Sequence, residues 1–288
     1  MPTVFDAAGD VDTAAIRFNV ERWMRTDLTG VLALGSNGEA PMLDEDEADR
    51  VVAATRDAMP SDRTLLVGTG RESTRQVIAA SKRAAALGAS AVLVRTPFFF
   101  KAQMTNDVLT THYRAVADAS PVPVVLYNMP QTTGVILTAP VVRALAQHPN
   151  IIGIKETSVE LERLGQFVAS APDTFTVLCG AAPVIYPALV SGARGGILAA
   201  ANVVPELFTR LAGHARAGRH AEALALQQQL TPFARLVTSV HGVAGLKAAM
   251  EMAGYRGGIP REPLPPVSAA GAVEVRAELE RLTAIPRP

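Results

Sequence analysis

Cysteine is almost absent: Cys179 stands alone in 288 residues, which excludes an intrachain disulfide and suits a reducing compartment. No apolar run approaches the roughly 18–20 residues needed to span a bilayer. The best stretch, 195–204, is short and interrupted by Asn202. The first thirteen residues carry three acids and no base, so they lack signal- or transit-peptide character. An excess of charge of one sign is missing too. The 27 basic side chains balance 27 acidic ones, which argues against a dedicated nucleic-acid binder. His112, His148, His214, His220 and His241 show no metal-ligand spacing. Gly68-Thr69-Gly70 holds only part of a dinucleotide fingerprint and reads as a turn. These absences leave a soluble, cytoplasmic protein that binds neither nucleic acid nor membrane.

Hydrophobic residues make up 49% of the chain, ample for a core. Their spacing alternates short β-rich runs with helical patterns. Strand-like runs fall at 30–34, 64–68, 91–95, 123–127, 151–155, 176–179 and 195–199, with a further fragment at 2–5. Helical patterns lie near 12–26, 44–58, 73–87, 105–119, 138–147, 158–170 and 181–192. Asp12, Asp44 and Ser73 occupy N-cap positions, and Gly88 stands as a stop. Continuous apolar runs one βα unit apart point to a parallel sheet covered on both faces, and so to a (β/α)8 TIM barrel. An open doubly wound sheet is the alternative. Residues 204–217, 219–238, 241–254 and 271–284 read as helices, giving a barrel over 1–217 and a C-terminal helical extension over 218–288. The first barrel strand is short.

Barrel chemistry sits at the carboxyl ends of strands, so reactive side chains there matter most. Only four of the basic residues are lysines: Lys82, Lys101, Lys155 and Lys247. Lys82 and Lys247 fall in helices and Lys101 in a loop, where a solvated charge is the ordinary outcome. Lys155 instead follows Ile151-Ile152-Gly153-Ile154 at the end of an oily strand. A desolvated lysine gives up its proton more readily, and a free amine condenses with a ketone to a Schiff base. The competing reading is an ion pair with Glu156, although strand neighbours point to opposite faces. Tyr127 ends the adjacent strand and reads either as a proton relay or as a packed aromatic. Gly35-Ser36-Asn37-Gly38 reads either as an anion-binding concavity, better suited to a carboxylate than a phosphate, or as a polar turn. Phe98-Phe99-Phe100 forms an aromatic loop that caps a pocket or meets another subunit.

Taken in order, Gly35-Ser36-Asn37-Gly38-Glu39, Leu126-Tyr127-Asn128-Met129-Pro130 with Thr133-Gly134, Gly153-Ile154-Lys155-Glu156 and the run from Gly195 to Val203 resemble the dihydrodipicolinate synthase / N-acetylneuraminate lyase family of pyruvate-dependent class I aldolases. The resemblance spans nearly the whole chain. It implies a barrel with a three-helix extension, assembled as a homotetramer of tight dimers. It implies Lys155 as the Schiff-base lysine, Tyr127 as the proton-transferring phenol, and Ser36 and Asn37 as the carboxylate site. Gly180 and Ile197 then line the pocket with backbone carbonyls, and Thr157 meets the second substrate.

Departures from the family pattern guide the choice of substrate. Thr132 stands where dihydrodipicolinate synthases carry an arginine for aspartate semialdehyde, and Ser36-Asn37 is similar to the 4-hydroxy-2-oxoglutarate aldolase branch. Phe99 replaces a tyrosine that many members supply across the dimer. The expected activity is cleavage of a 4-hydroxy-2-oxo acid, either 4-hydroxy-2-oxoglutarate or a 2-keto-3-deoxy sugar acid, to pyruvate and an aldehyde. It needs no metal or organic cofactor. Two alternatives stand beside it: 4-hydroxy-tetrahydrodipicolinate synthase, and a non-catalytic pyruvate-binding relative.

Overall fold

Apolar runs too short for helices, and rich in Val, Leu and Ile, fold as buried strands. The computed structural model describes residues 1–284, grouped as two compact units: Met1–Arg63 with the chain from Leu198 onward, and Thr64–Ile197. No described helix is long and apolar enough to cross a membrane.

In the first unit, helix Thr13–Trp23 begins where the Asp12 side chain accepts from the Ala15 N–H, and helix Glu45–Asp57 begins with a reciprocal capping box between Asp44 and Glu47. Strand β1, Gly30–Ala33, lies between these helices in sequence. After Leu198 the unit is helical: Pro205–Arg216, His220–Arg235, Gly242–Met252 and Ala269–Thr283. These agree with the helices read for the C-terminal part of the sequence. Trp23, Ile16, Phe233, Leu246, Met250 and Val275 supply its core.

The N-terminal fragment does not become a strand. Gly9 takes a left-handed φ of 86° and donates to the Asp6 carbonyl, so the chain doubles back on itself. Phe5 then forms only an isolated antiparallel bridge with Val11. The eighth strand of the expected (β/α)8 barrel is therefore not formed among the described residues. The α/β class and the C-terminal helices hold.

The second unit carries β2 (Thr64–Gly68), β3 (Ala91–Arg95), β4 (Val124–Asn128), β5 (Ile151–Glu156), β6 (Thr176–Cys179) and β7 (Gly195–Gly196). They pair in parallel in chain order. β7 is shorter than the run 195–199 because Ala199–Asn202 winds into a 3-10 turn. Helix Thr74–Ala86 buries Val77, Ala80, Ser81 and Ala84, the one-face spacing of an amphipathic helix. The β4–β5 pairing contains an irregularity. Val124 pairs with Ile151 but Val125 with Gly153, so Ile152 is an extra residue on β5. Gly153 is required beside it, since a Cβ there would stand 2.5 Å from the Thr176 carbonyl oxygen. A one-residue slip would turn every later β5 side chain to the other face. The bulge thus sets which way Lys155 points.

Candidate active site

At the carboxyl ends of β4 and β5, Tyr127 is paired with Lys155 and Asn128 with Glu156. Laterally paired residues share a face and successive ones alternate. Lys155 Nζ donates to Tyr127 Oη at 3.3 Å and lies 4.4 Å from the ring centroid. Lys155 and Tyr127 are only 6% and 5% exposed. Tyr127 Oη in turn donates to Met129 Sδ at 3.1 Å, a contact that sequence reasoning missed.

Glu156 belongs to a different group. It is fully buried, and its Oε2 accepts from Asn128 Nδ2 at 2.6 Å while Oε1 accepts from the Ser158 N–H at 2.7 Å. Arg163 Nη1 stands 3.9 Å from Oε1. Asn128 Oδ1 accepts from the Leu137 N–H at 2.9 Å. This network fastens the ends of β4 and β5 to the segments that follow them. The carboxylate is engaged there, so the Lys155–Glu156 ion pair is not what the structure contains. The Asn128–Glu156 pair had no signal in the sequence beyond its register beside Tyr127 and Lys155.

Gly180, just beyond β6, lies against Lys155 and Thr157. A Cβ on Gly180 would stand 2.8 Å from Lys155 Cε and 2.9 Å from Thr157 Cβ, and would collide with Thr157 Oγ1. Its N–H donates to the Glu156 carbonyl at 2.6 Å, and the Thr157 N–H donates to the Asn128 carbonyl at 3.1 Å. Thr157 Oγ1 is buried without a hydrogen-bond partner, an arrangement that costs roughly 1–3 kcal/mol unless something binds it. Ile197 follows β7 and donates its N–H to the Cys179 carbonyl at 2.9 Å. Burial pushes the Cys179 thiol up to about 11, outweighing its hydrogen bond at Ala181. It stays protonated at neutral pH and is a poor nucleophile.

Lys155, Tyr127, Thr157 and Gly180 are therefore brought together in one unit, with Ile197 on the neighbouring strand end. Ser36 and Asn37 belong to the other unit, in the 3-10 turn Ser36–Gly38. Ser36 is exposed and Asn37 half-buried. The turn is flanked by two non-glycine residues in the left-handed region, Leu34 at φ 55° and Glu39 at φ 53°. Such backbone persists only when surrounding contacts over-determine it. The Gly38 carbonyl accepts from Thr3 Oγ1 at 2.6 Å. Lys247, read from the sequence as a solvated helical lysine, is instead buried at 1% exposure and stands 2.6 Å from Glu39 Oε1.

Phe99 is 74% exposed, although its backbone is well anchored: Glu72 Oε2 accepts from the Phe98 and Phe99 N–H groups at 2.9 Å each, and Arg95 Nη1 donates to Glu72 Oε1 at 2.8 Å. Among the described residues no three His, Cys, Asp or Glu side chains converge in a way that could hold a metal ion.

Comparison with known proteins places this geometry in context. The profile of the dihydrodipicolinate synthetase family matches residues 1–282. The chain is 37% identical over 270 residues to a 4-hydroxy-tetrahydrodipicolinate synthase of Xanthomonas campestris, covering 94% of this chain and 88% of that one. It is 36% identical over 270 residues to a probable mitochondrial 4-hydroxy-2-oxoglutarate aldolase of Emericella nidulans, covering 91% and 87%. Among solved structures, the prophage protein YagE of Escherichia coli K12, which belongs to the dihydrodipicolinic acid synthase family and was solved with pyruvate, is similar with a TM-score of 0.91 and 28% identity, covering 98% of this chain and 96% of that one.

Proposed function

Because the chain belongs to the dihydrodipicolinate synthetase family, whose members are pyruvate-dependent lyases and synthases of the class I aldolase type, we propose that it is a Schiff-base aldolase that cleaves a 4-hydroxy-2-oxo acid to pyruvate and an aldehyde. The carrying observation is a buried Lys155 amine 3.3 Å from the Tyr127 phenol, with the neighbouring carboxylate of Glu156 engaged elsewhere.

The reaction begins with attack of Lys155 Nζ on the C2 carbonyl carbon. The carbinolamine loses water to give an iminium, with Tyr127 passing the proton to the departing hydroxyl. The iminium is an electron sink. When a base takes the C4 hydroxyl proton, the C3–C4 bond breaks, the aldehyde leaves, and the electron pair remains on C3 as an enamine. Protonation at C3 and hydrolysis of the imine release pyruvate and restore the lysine. Tyr127 is the proposed base, and the unpartnered Thr157 Oγ1 is suited to orient the C4 hydroxyl. Ser36, Asn37 and the amides of their turn take the substrate carboxylate, and the Gly180 and Ile197 backbones line the pocket. The covalent link to Lys155 stands in for a cofactor.

4-Hydroxy-2-oxoglutarate is the first candidate substrate and a 2-keto-3-deoxy sugar acid the second. A further reading, 4-hydroxy-tetrahydrodipicolinate synthase, is favoured by the Xanthomonas relative, whose identity is within one per cent of the aldolase's. The stretch Gln131-Thr132-Thr133 carries no guanidinium for aspartate semialdehyde, which ranks that reading second. A panel of 2-oxo acids assayed for pyruvate release, beside pyruvate consumption with aspartate semialdehyde, decides. Faster condensation than cleavage would overturn the ranking. We also propose a cytoplasmic homotetramer in which the exposed Phe99 loop meets a second subunit. Sedimentation of the wild type and of Phe99→Ser tests it: a monomeric wild type would refute the assembly.

A further inference from the structure

Lys247 is the least expected lysine of the chain. It lies on helix Gly242–Met252, and its ammonium is paired at 2.6 Å with Glu39 Oε1, both side chains 1% exposed. Nζ also donates to the Ile259 carbonyl at 2.7 Å and stands 4.5 Å from the Phe5 ring centroid. The other oxygen of Glu39 accepts from the Arg261 N–H at 2.8 Å. Arg261 extends the network: its guanidinium is bidentate on Glu47 at 2.6 and 2.7 Å, and donates to the carbonyls of Met42 and Gly9. Gly257 permits the arrangement, since a side chain there would strike the backbone of Lys247.

A buried ion pair is weak grounds for stability, because desolvation cancels much of its attraction. Its location is more telling. Glu39 closes the turn Ser36–Gly38: its N–H donates to the Ser36 carbonyl at 3.1 Å, and its own φ is left-handed. A left-handed L-residue costs roughly 1–2 kcal/mol, and two of them flank this turn. The Glu39 carboxylate, held from helix Gly242–Met252 and from the segment at Arg261, supplies the external contact that such backbone requires.

We propose that Lys247 is a positioning residue: through Glu39 it holds the turn Ser36–Gly38 in the one conformation that presents Ser36, Asn37 and the turn amides to the carboxylate of a 2-oxo acid. The proposal rests on the reading of Ser36 and Asn37 as the carboxylate site given above. Releasing the turn would weaken capture of the acid while leaving the condensation chemistry of Lys155 intact.

Borohydride trapping of the protein over a range of pyruvate concentrations separates the two effects. In Lys247→Met the half-saturating pyruvate concentration rises by about ten-fold or more, equivalent to about 1.4 kcal/mol, while the maximal trapping rate changes by less than roughly three-fold. Lys247→Met leaves Glu39 as a lone buried charge and lowers the melting temperature. The double variant Glu39→Gln/Lys247→Met removes that charge, so it recovers melting temperature but keeps the raised half-saturation. A double variant with wild-type half-saturation overturns the proposal and makes the pair purely structural. A fall in maximal rate at unchanged half-saturation overturns it as well. Failure of the wild type to form any adduct would instead sink the underlying aldolase reading.

Discussion

Replacing Gly180 by alanine probes the site where its tolerance is smallest. The added Cβ would lie 2.8 Å from Lys155 Cε and 2.9 Å from Thr157 Cβ, whereas carbon atoms rest comfortably at about 3.5–4.0 Å. The Cβ would also collide with Thr157 Oγ1, so Thr157 must be pushed aside and the Lys155 chain must yield by roughly 1 Å as well. The Gly180 backbone is held by its 2.6 Å hydrogen bond to the Glu156 carbonyl. Thr157 is β-branched and stiff at χ1. The Lys155 chain is the softest of the three, so Cε moves and carries Nζ off its line to the substrate carbon. A 1 Å displacement of a reacting group costs about 10²-fold in rate. Overpacking costs about 1–3 kcal/mol of stability, and Gly180 does not occupy the left-handed region, so backbone strain adds nothing. Steady-state cleavage of the best 2-oxo acid should fall about a hundred-fold in Gly180→Ala, with a folded protein and a modest drop in melting temperature. A folded variant with wild-type kcat/KM would show that Lys155 does not work where Gly180 confines it.

Other consequences follow from the same contacts. Tyr127→Phe keeps the ring beneath the ammonium and removes only Oη, so turnover should drop by about 10²-fold or more in pre-steady-state assays; unchanged turnover would remove Tyr127 from proton transfer. Burial, partly opposed by Glu72, pulls His112 down to about 4 from an ordinary 6.5. The native imidazole stays neutral while the unfolded one takes up a proton, so this contribution is intact above pH 6.5 and drains away as pH falls to 4. The loss is about 3 kcal/mol. Urea unfolding should show the wild type losing that much relative to His112→Gln over this window, and parallel pH curves would contradict it. Cys179, pushed up to about 11, is about one part in 10³ thiolate at pH 8. Iodoacetamide should therefore label it only after denaturation, and rapid native labelling would be inconsistent with its burial.

Much of the second unit was legible in the residues. Continuous apolar runs signal strands buried on both faces, and β2, β3 and β6 match their sequence ranges. The opposite orientation of Lys155 and Glu156 also follows from strand alternation alone. What could not be read depends on partners distant in sequence. The fragment 2–5 has strand composition, yet Gly9 reverses the chain before it can extend. The extra residue at Ile152 is visible only in the register with β4. Lys247 sits in a helical pattern where solvation is the ordinary outcome, and its burial is decided by Glu39. That residue is also joined to Arg261, 222 positions away. The closeness of Gly180 to Lys155 and Thr157 likewise depends on the β5–β6 register, because composition alone does not bring a glycine beneath a lysine.

The most direct measurement is to incubate the protein with pyruvate, reduce with borohydride, and map the adduct by peptide mass analysis. A single reduced pyruvyl group on the peptide containing Lys155, absent from Lys155→Arg along with all cleavage activity, is the predicted result. An adduct on Lys82, Lys101 or Lys247 instead, no adduct at all, or full turnover by Lys155→Arg would contradict the central role of the amine beside Tyr127.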